Sequence, residues 1–330
     1  MPMTEVVSLR DIFGARRIIE QYLPRTPIIS SFALSKMLGC IAYVKCENTL
    51  PTGAFKVRGG INLISQLTHL EKYRGVIAAS TGNHAQSIAY AASLFGAKAI
   101  IGMPEGANPD KVKATRAYGG EVELHGKDYD EARLWVEEEA KQKGYRYIHS
   151  ANEPLLVAGV GTLYLEIMES VPDVDVIIVP IGGGSGAAAA CIVAKSLNPE
   201  VKIIGVQAEN APAVYLSWKQ RRLVETESAN TFAEGLATRV PFELTFGIIS
   251  KMINDIVLVK ESEMKHAIAA IFKTTRQLAE GAGAASIAAA FKLRRRIRGK
   301  KVALPLTGGN ITLQELGRIL DMEQMQTEAF

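Results

Sequence analysis

The sequence predicts an α/β protein of two lobes, each a mostly parallel open sheet covered by helices. Short apolar segments alternate with helical patterns of ten or more residues from residue 75 onward, which is typical of parallel sheets with helices on their faces. Glycine-rich turns directly follow two of these segments, at 181–186 and 307–310. A chain of 330 residues is long enough to bury large cores, and we expect two domains.

The individual elements follow from apolar periodicity and from start and stop residues. Ser8 is a plausible N-cap for the first helix, and Pro24 and Pro27 end that pattern. Residues 223–239 are polar and irregular, which predicts a long loop of functional importance. Strands are predicted at 41–46, 75–79, 98–102, 121–124, 145–149, 174–180, 201–207, 256–259 and 302–306. Helices are predicted at 9–23, 31–38, 55–68, 84–95, 110–118, 130–143, 157–169, 186–195, 212–220, twice within 261–298, and from 312 onward.

Composition limits the classes of function. A net charge of +4 is small for this length and does not indicate nucleic-acid binding. No apolar run is long enough to span a membrane, and the first residues do not form a secretory signal. The cysteines Cys40, Cys46 and Cys191 are scattered, so neither a disulfide framework nor a zinc site is predicted. We therefore expect a cytoplasmic protein.

Lys56 is the first candidate catalytic residue. It follows a turn carrying Pro51 and Gly53 and falls in the first turn of the helix predicted from Phe55. A helix N-terminus disfavours a cation, and desolvation also lowers a lysine pKa. An unprotonated amine is what a Schiff-base lysine requires. The alternative is an ordinary solvated lysine.

A second candidate is the turn Ser80-Thr81-Gly82-Asn83-His84-Ala85, between a strand and a helix. Small and hydrogen-bonding residues at a helix start expose backbone N–H groups that suit a carboxylate. The Asn83 amide can donate to a ligand oxygen. Helix capping by Ser80 or Asn83 would explain one or two of these residues, but not the whole set.

The third candidate is the glycine-rich turn from Gly182 to Ala187, which follows the strongest apolar strand. Its backbone can close around a phosphate at a helix N-terminus. Two interpretations remain open. Gly182, Gly184 and Ala187 fit a dinucleotide-binding turn with Glu209 as the acidic partner. The other interpretation is a single phosphate monoester such as pyridoxal phosphate.

The last candidate follows the final strand. Ligands of open α/β sheets bind at the carboxyl ends of the strands, and this places the Thr307 hydroxyl where a ligand could use it. Gly308, Gly309 and Asn310 complete this turn, and Glu280 is a carboxylate beside glycine in an earlier turn.

Taken together, Lys56, the turn 80–85, the turn 182–187 and the turn 307–310 resemble the pyridoxal-phosphate enzymes of fold type II, the tryptophan-synthase-β-like group. Within that group the chain resembles the serine/threonine dehydratases, also called threonine ammonia-lyases. The resemblance runs from Arg25 to Asn310. It implies a PLP-dependent lyase that converts L-threonine or L-serine to a 2-oxo acid and ammonia in amino-acid catabolism.

The resemblance also implies roles for individual residues. Lys56 would carry pyridoxal 5'-phosphate as a Schiff base and later remove the substrate's Cα proton. The remaining cofactor-binding residues would be Phe55, Asn83, Gly182, Gly183, Gly184, Ser185, Gly186, Glu280 and Thr307. The substrate carboxylate would be held by Ser80, Thr81, Gly82 and His84.

The domain organisation expected from this resemblance has a large cofactor-binding domain at 1–70 and 150–330 and a small mobile domain at 71–149. We expect no regulatory C-terminal domain, because the chain ends about 20 residues after Asn310. Relatives are commonly homodimers, and we expect the same here.

Four positions depart from patterns in the family. Thr307 stands where most relatives have serine or cysteine, and it keeps the neutral hydroxyl. Thr81 stands where racemases have a serine acid/base, which makes racemisation doubtful as the main activity. Gln207 and Ala213 replace the acidic ligands of cation-dependent relatives, so we predict no metal site.

Other functions remain as alternatives. The enzyme could dehydrate a bulkier β-hydroxy amino acid of the phenylserine or hydroxyaspartate type, or it could be a racemase. A nicotinamide-dependent oxidoreductase would use the turn 182–187 but leaves Lys56 and Asn83 without a role. A non-catalytic amino-acid-binding module does not account for Lys56.

Overall fold

The computed structural model of the chain describes residues 7–328, with side chains through Met322. The helices are α1 Leu9–Ile19, α2 Phe32–Leu38, α3 Lys56–Ser65, α4 His69–Arg74, α5 Asn83–Leu94, α6 Pro109–Ala117, α7 Tyr129–Lys143, α8 Pro154–Ser170, α9 Ser185–Leu197, α10 Ala213–Gln220, α11 Glu243–Met252, α12 Glu261–Thr275, α13 Gly281–Lys292 and α14 Leu313–Glu328. The strands are β1 Ile28–Ser30, β2 Ile41–Cys46, β3 Val76–Ala79, β4 Ala99–Met103, β5 Glu121–Leu124, β6 Arg146–Tyr147, β7 Val176–Pro180, β8 Lys202–Ala208, β9 Asp255–Val259 and β10 Lys301–Leu306.

The chain divides into two compact units. Within the described residues, the first unit comprises 7–24 and 55–162, and the second comprises 25–54 and 163–328. The division places α1 and α3 with the small sheet and falls within helix α8.

The first unit contains a parallel sheet of four strands in the order β5-β4-β3-β6. All four residues of β3 and all five residues of β4 are non-polar and buried, as expected for strands covered on both faces. Helix α7 packs on β3 and β4, and its Val136 and Ala140 join Ile77 and Ile100 in one apolar cluster. Because β3 lies between β4 and β6, the turn after β3 leaves from the middle of the sheet.

The second unit contains a sheet of six strands in the order β1-β2-β10-β7-β8-β9. Among the described residues, β1 pairs with β2 in antiparallel fashion, and the other four strand pairs of this sheet are parallel. Strands β7 and β10 are neighbours, with Val302 opposite Val176. Since parallel neighbours end at the same edge of a sheet, the turns after β7 and β10 leave from one edge.

A buried polar network stabilises the end of β2 in the second unit. Lys45 forms an ion pair with Glu166, and its Nζ donates to the carbonyl oxygen of Thr26 at 2.8 Å. The Thr26 hydroxyl donates to Glu47 Oε1 at 2.6 Å. Buried charges need such partners, because an isolated one would carry a large desolvation cost. The network therefore anchors the segment that leads into the turn at 50–54.

Most predicted elements are confirmed, with shifts of a few residues at their ends. Ser8 caps α1 through a capping box with Asp11, but the helix ends at Ile19 rather than residue 23. The predicted strand at 145–149 contains only the two residues of β6. Strand β1 and helices α4 and α11 were not predicted. Within the described residues, no helix is both long and apolar enough to cross a membrane.

Candidate active site

Lys56 is the first residue of α3, as the sequence predicts. Its Nζ donates to the carbonyl oxygen of Ser150 at 3.3 Å and lies 5.4 Å from the centre of the Phe55 ring. The side chain is half-buried. Desolvation lowers the pKa of Lys56 to about 8. At pH 7 roughly one tenth of the amine is therefore uncharged, far more than for an exposed lysine, and this fraction can act as a base or nucleophile.

Two glycines bring α3 close to its neighbours in the first unit. A Cβ on Gly60 would lie 2.4 Å from the Ser87 hydroxyl oxygen on α5, and one on Gly59 would lie 2.8 Å from Leu156 Cδ2 on α8. Ser87 Oγ also donates to the Lys56 carbonyl oxygen at 2.7 Å. Close packing on two sides thus fixes the backbone that carries Lys56.

The turn after β3 presents the start of α5. Gly82 is the N-cap and has no side chain with which to cap the helix, and the Ser80 hydroxyl accepts the Gly82 N–H at 3.2 Å. Thr81, Gly82 and Asn83 are each half-buried. The first turn of α5 therefore offers backbone N–H groups, beside hydroxyls, to a carboxylate.

His84 follows this turn and is 4% exposed. Its Nε2 lies 3.4 Å from the carbonyl oxygen of Ile148, whereas its Nδ1 is buried without a hydrogen-bond partner. Burial, followed by the charge of Lys56, lowers the pKa of His84 to about 3. Because a carbonyl oxygen only accepts, the proton of the neutral ring belongs on Nε2. In this tautomer the His84 side chain can accept a hydrogen bond but has no second proton for a carboxylate.

The segment 148–153 runs past both Lys56 and His84. His149 Nδ1 accepts the backbone N–H groups of Ala151 and Asn152, each at 3.0 Å. The Glu153 carboxylate binds both terminal nitrogens of the Arg146 guanidinium, at 2.9 and 2.8 Å. This segment is therefore held by side chains at both of its ends.

The glycine-rich turn after β7 belongs to the second unit. Gly184 is the N-cap of α9 with a φ of 89°, a conformation that favours glycine, and no side chain caps this helix. A Cβ on Gly182 would lie 1.9 Å from the carbonyl oxygen of Gly235. The Thr245 hydroxyl donates to the Gly183 carbonyl oxygen at 2.8 Å. An anion can therefore approach the backbone at the positive end of the α9 dipole.

The turn after β10 is joined to the segment before Lys56. Asn310 Nδ2 donates to the Thr52 carbonyl oxygen at 2.8 Å, and the Gly309 N–H donates to the Gly53 carbonyl oxygen at 2.9 Å. Thr307 follows β10 directly and is 6% exposed. Its hydroxyl lies 3.5 Å from the Ala282 carbonyl oxygen, a distance at the limit of hydrogen bonding.

Glu280 packs beside this turn. Its N–H donates to the Gly308 carbonyl oxygen at 3.1 Å, and a Cβ on Gly308 would lie 2.5 Å from Glu280 Oε1. A Cβ on Gly235 would lie 2.8 Å from Ala282 Cβ. Through Gly235 and Ala282, the glycine-rich turn and Thr307 thus share one packed region of the second unit.

Within the first unit, the structure brings together Lys56, the start of α5 and His84; within the second, it brings together the glycine-rich turn, Thr307 and Glu280. Gln207 stands where cation-dependent relatives would have an acidic ligand. Its amide nitrogen donates to the Ile181 carbonyl oxygen, and its amide oxygen accepts the Tyr215 N–H. Over the described chain, no three His, Cys, Asp or Glu side chains are grouped as metal ligands.

Two polar residues of the first unit were not singled out from the sequence. Arg58 is completely buried and donates to Thr162 Oγ1 at 3.1 Å. His149 accepts two backbone N–H groups, as described above. A signal for His149 was present in the sequence, because a short polar segment follows the strand at this point, His149-Ser150-Ala151-Asn152. Segments of this kind form turns that a side chain stabilises.

Comparison with known families gives a match over most of the chain. The model of the family described as "Pyridoxal-phosphate dependent enzyme" matches residues 19–308.

Individual proteins match this chain over nearly its whole length, both in sequence and in structure. The chain is 41% identical to the L-threonine ammonia-lyase of Thermotoga maritima over 316 residues, covering 96% of this chain and 79% of the relative. It is 39% identical to a catabolic L-threonine dehydratase of Staphylococcus aureus over 321 residues, covering 96% of this chain and 92% of the relative. The structure of maize serine racemase superposes with a TM-score of 0.91 at 29% identity, covering 98% of this chain and 99% of that one.

Proposed function

Because the chain belongs to the family of pyridoxal-phosphate-dependent enzymes, we propose that it is an ammonia-lyase that converts L-threonine, L-serine or both to a 2-oxo acid and ammonia. The observation that carries the proposal is Lys56, a helix-starting lysine whose pKa desolvation lowers to about 8. The relatives named as threonine ammonia-lyase and threonine dehydratase support the choice of substrate.

The residues of the second unit fit pyridoxal phosphate. The α9 N-terminus begins on a left-handed glycine without a capping side chain, so its backbone N–H groups suit the phosphate. We assign the phosphate to the backbone of Gly182, Gly183, Gly184 and Gly186, with Ser185 as a further contact. We assign the pyridine nitrogen to the Thr307 hydroxyl, with Glu280 beside it.

The residues of the first unit would provide the remaining contacts. We assign the Schiff-base bond to Lys56, the contact with the ring face to Phe55 and the phenolic oxygen to Asn83. When bound in this way, the cofactor withdraws electrons from the bonds at the substrate α-carbon. Thr307 is a neutral partner and does not hold a proton on the ring nitrogen as a carboxylate would, which favours elimination of a β-substituent over transamination.

The side chains then have separate tasks in the reaction. The start of α5, with the hydroxyls of Ser80 and Thr81 and the backbone of Gly82, would bind the substrate carboxylate. The uncharged amine of Lys56 would remove the Cα proton. The β-hydroxyl needs a proton in order to leave as water. His84 cannot supply it at neutral pH, because its pKa of about 3 keeps the ring uncharged.

The test combines absorbance with product analysis. Purified protein is expected to show the visible band of a cofactor–lysine Schiff base and to form 2-oxobutanoate from L-threonine or pyruvate from L-serine. Lys56→Ala should lose both the band and the products, because no other amine replaces the one on α3. Lys113→Ala changes an exposed lysine of the same unit and serves as the matched control. A protein that stays colourless with added pyridoxal phosphate would contradict the cofactor assignment.

Racemisation is a second candidate activity, favoured by the structural likeness to a serine racemase. The hydroxyl of Thr81, half-buried before α5, would be the second acid/base. Chiral chromatography of the same reaction mixture measures the D-amino acid directly. Its absence during 2-oxo acid formation leaves elimination as the activity.

We also propose that the enzyme is a cytoplasmic homodimer. Cys40, Cys46 and Cys191 are all buried as free thiols, as in proteins of reducing compartments. In the second unit, Phe32 is 84% exposed and Leu313 is 88% exposed, and large apolar side chains of this kind are common in interfaces. Sedimentation should give a mass near twice 35.7 kDa, and a monomer at assay concentration would contradict the dimer.

A further inference from the structure

The carbonyl groups of the segment 148–152 contact two groups used in the proposed reaction. The Ser150 carbonyl oxygen accepts from Lys56 Nζ at 3.3 Å. The Ile148 carbonyl oxygen lies 3.4 Å from His84 Nε2. The direction of each carbonyl therefore sets the direction of a functional side chain, and the segment itself must be held in place.

His149 provides this support. Its Nδ1 accepts N–H groups from Ala151 and Asn152, at 3.0 Å each. A side chain that accepts from residues two and three positions ahead closes a turn, as Asp and Asn do in Asx turns. Ser150 lies inside this turn, so its carbonyl direction depends on the His149 bonds.

The two accepted bonds also determine the protonation of His149. An imidazole nitrogen that accepts N–H bonds carries no proton, so the proton of the neutral ring lies on Nε2. Burial lowers the pKa of His149, and the charges of Arg133 and Lys56 act in the same direction.

The groups facing His149 come from several elements. Glu137 on α7 opposes the lowering of the pKa, but its carboxylate is already paired with Arg133 at 2.7 Å. The Tyr147 ring lies 6.2 Å from the imidazole, and a charge on His149 would disfavour protonation of His84. A proton on Nδ1 would break the turn and place a cation near Lys56.

We propose that His149 is a positioning residue of this enzyme, which holds the turn 149–152 so that the Ser150 carbonyl orients the amine of Lys56. The inference rests on the proposed function, because that function gives Lys56 its bonding and proton-transfer roles. His149 acts through Ser150 and touches neither substrate nor cofactor in this scheme.

Two variants of His149 distinguish the effect of losing the Nδ1 acceptor from the effect of changing the side chain in general. In His149→Asn, the amide oxygen can take the place of Nδ1 and accept the same N–H groups in an Asx turn. In His149→Gln, the amide lies one bond farther out, so the nearer acceptor is lost while polarity is kept. His69→Gln, at an exposed histidine of the same unit, controls for the substitution itself.

Two measurements are made on purified holoenzyme. Hydrogen exchange of the Ala151 and Asn152 amides reports on the turn without any need for turnover. Steady-state kinetics over pH separate kcat from KM. For His149→Gln we expect amide exchange at least about tenfold faster, and a fall in kcat of roughly 10- to 100-fold with little change in KM, because a small misplacement of a catalytic group is costly. For His149→Asn both values should stay within about threefold of the wild type.

The inference is overturned if His149→Gln exchanges these amides rapidly yet keeps the wild-type kcat. It is also overturned if the amides stay protected in that variant, or if His149→Asn is as impaired as His149→Gln. If His149→Gln does not fold, His149→Leu takes its place with the same expectations.

Failure of the proposed function would be seen separately. If the wild type forms no 2-oxo acid, the kinetic arm is replaced by the rate at which added pyridoxal phosphate attaches to Lys56, trapped by borohydride and quantified by peptide mass spectrometry. A slower attachment in His149→Gln than in His149→Asn supports the positioning role, and equal rates contradict it.

Discussion

At the residue scale, the first unit keeps two basic side chains close together while limiting their charge. Desolvation is the main cause in both cases, and it lowers the pKa of Lys56 to about 8 and that of His84 to about 3. The charge of Lys56 also disfavours protonation of His84. The amine thus becomes available for chemistry at a pH where an exposed lysine would be fully charged.

His84 should make stability depend on pH. Between pH 6.5 and about 3 the unfolded chain binds a proton at this position that the folded chain does not. The stabilisation is complete above pH 6.5 and is lost as the pH falls toward 3. Each pH unit within this window should cost up to about 1.4 kcal/mol of unfolding free energy. In His84→Asn the dependence of unfolding free energy on pH should be weaker by the contribution of about one proton. Urea unfolding from pH 4.5 to 7.5 measures this dependence.

His69→Asn is the control for that experiment, because His69 is exposed in the same unit. It should keep the wild-type slope. An unchanged slope in His84→Asn would mean that His84 binds its proton equally well in the folded and unfolded states, which would contradict the lowered pKa.

The sequence was sufficient to predict where several candidate residues lie relative to helices and strands, because these signals are local. Lys56 starts a helix, Gly184 precedes one, and Thr307 follows a strand, and each position can be read from neighbouring residues. His149 and Arg58 could not be assigned in this way. Their roles depend on backbone groups brought near them by a turn or by another helix, as with Thr162 for Arg58.

At the element scale, α3 is positioned by glycines rather than by large apolar side chains. Gly59 and Gly60 allow α8 and α5 to approach the α3 backbone, and the Ser87 hydroxyl bonds the carbonyl oxygen of Lys56. Glycine inside a helix costs stability relative to alanine. Its presence here follows from close packing.

Gly60→Ala should therefore destabilise the protein. Its Cβ would lie 2.4 Å from Ser87 Oγ and 2.8 Å from the Ser87 carbonyl oxygen, and the backbone contact cannot be relieved by a rotamer change. We expect a loss of about 1–3 kcal/mol in unfolding free energy. Gly14→Ala, at an exposed position of α1 with no atom within 4 Å of the added Cβ, should instead stabilise by about 0.4–1 kcal/mol. Denaturant unfolding of both variants checks the difference, and equal effects would contradict it.

Elements were predicted well where apolar residues form a long or continuous pattern. Strand β2 has the predicted bounds, and β7 and β10 agree within two residues. Strand β1 was missed because it has three residues between Pro27 and Ser31, is incompletely buried, and depends on pairing with β2. Helix α4 was missed because it has six mostly polar residues and no buried side chain.

At the scale of the whole molecule, the strands of the two sheets come from separate stretches of the chain. All four strands of the first sheet fall within 71–149, and all six of the second fall outside it. We propose on this basis that 71–149 is a small mobile domain. Helices α1 and α3 group with it by contact, which sequence periodicity alone could not indicate because it carries no information about distant packing.

Hydrogen exchange across the chain tests that proposal. Amides of β3 and β4 should exchange through a shared opening with a lower free energy than those of β7 and β10, because the smaller sheet has fewer strands and a smaller core. A single common opening energy for both sheets would contradict a separately mobile domain. Amides of the exposed α4 provide the fast-exchange reference.

The central position of β10 has a consequence for synthesis of the chain. This strand lies between β2 and β7, although 254 residues separate its first residue from the end of β2. At typical rates of translation, β2 waits on the order of tens of seconds for its partner to leave the ribosome. During that time its apolar edge is unpaired, so newly made chains should depend on chaperones to keep this edge from aggregating.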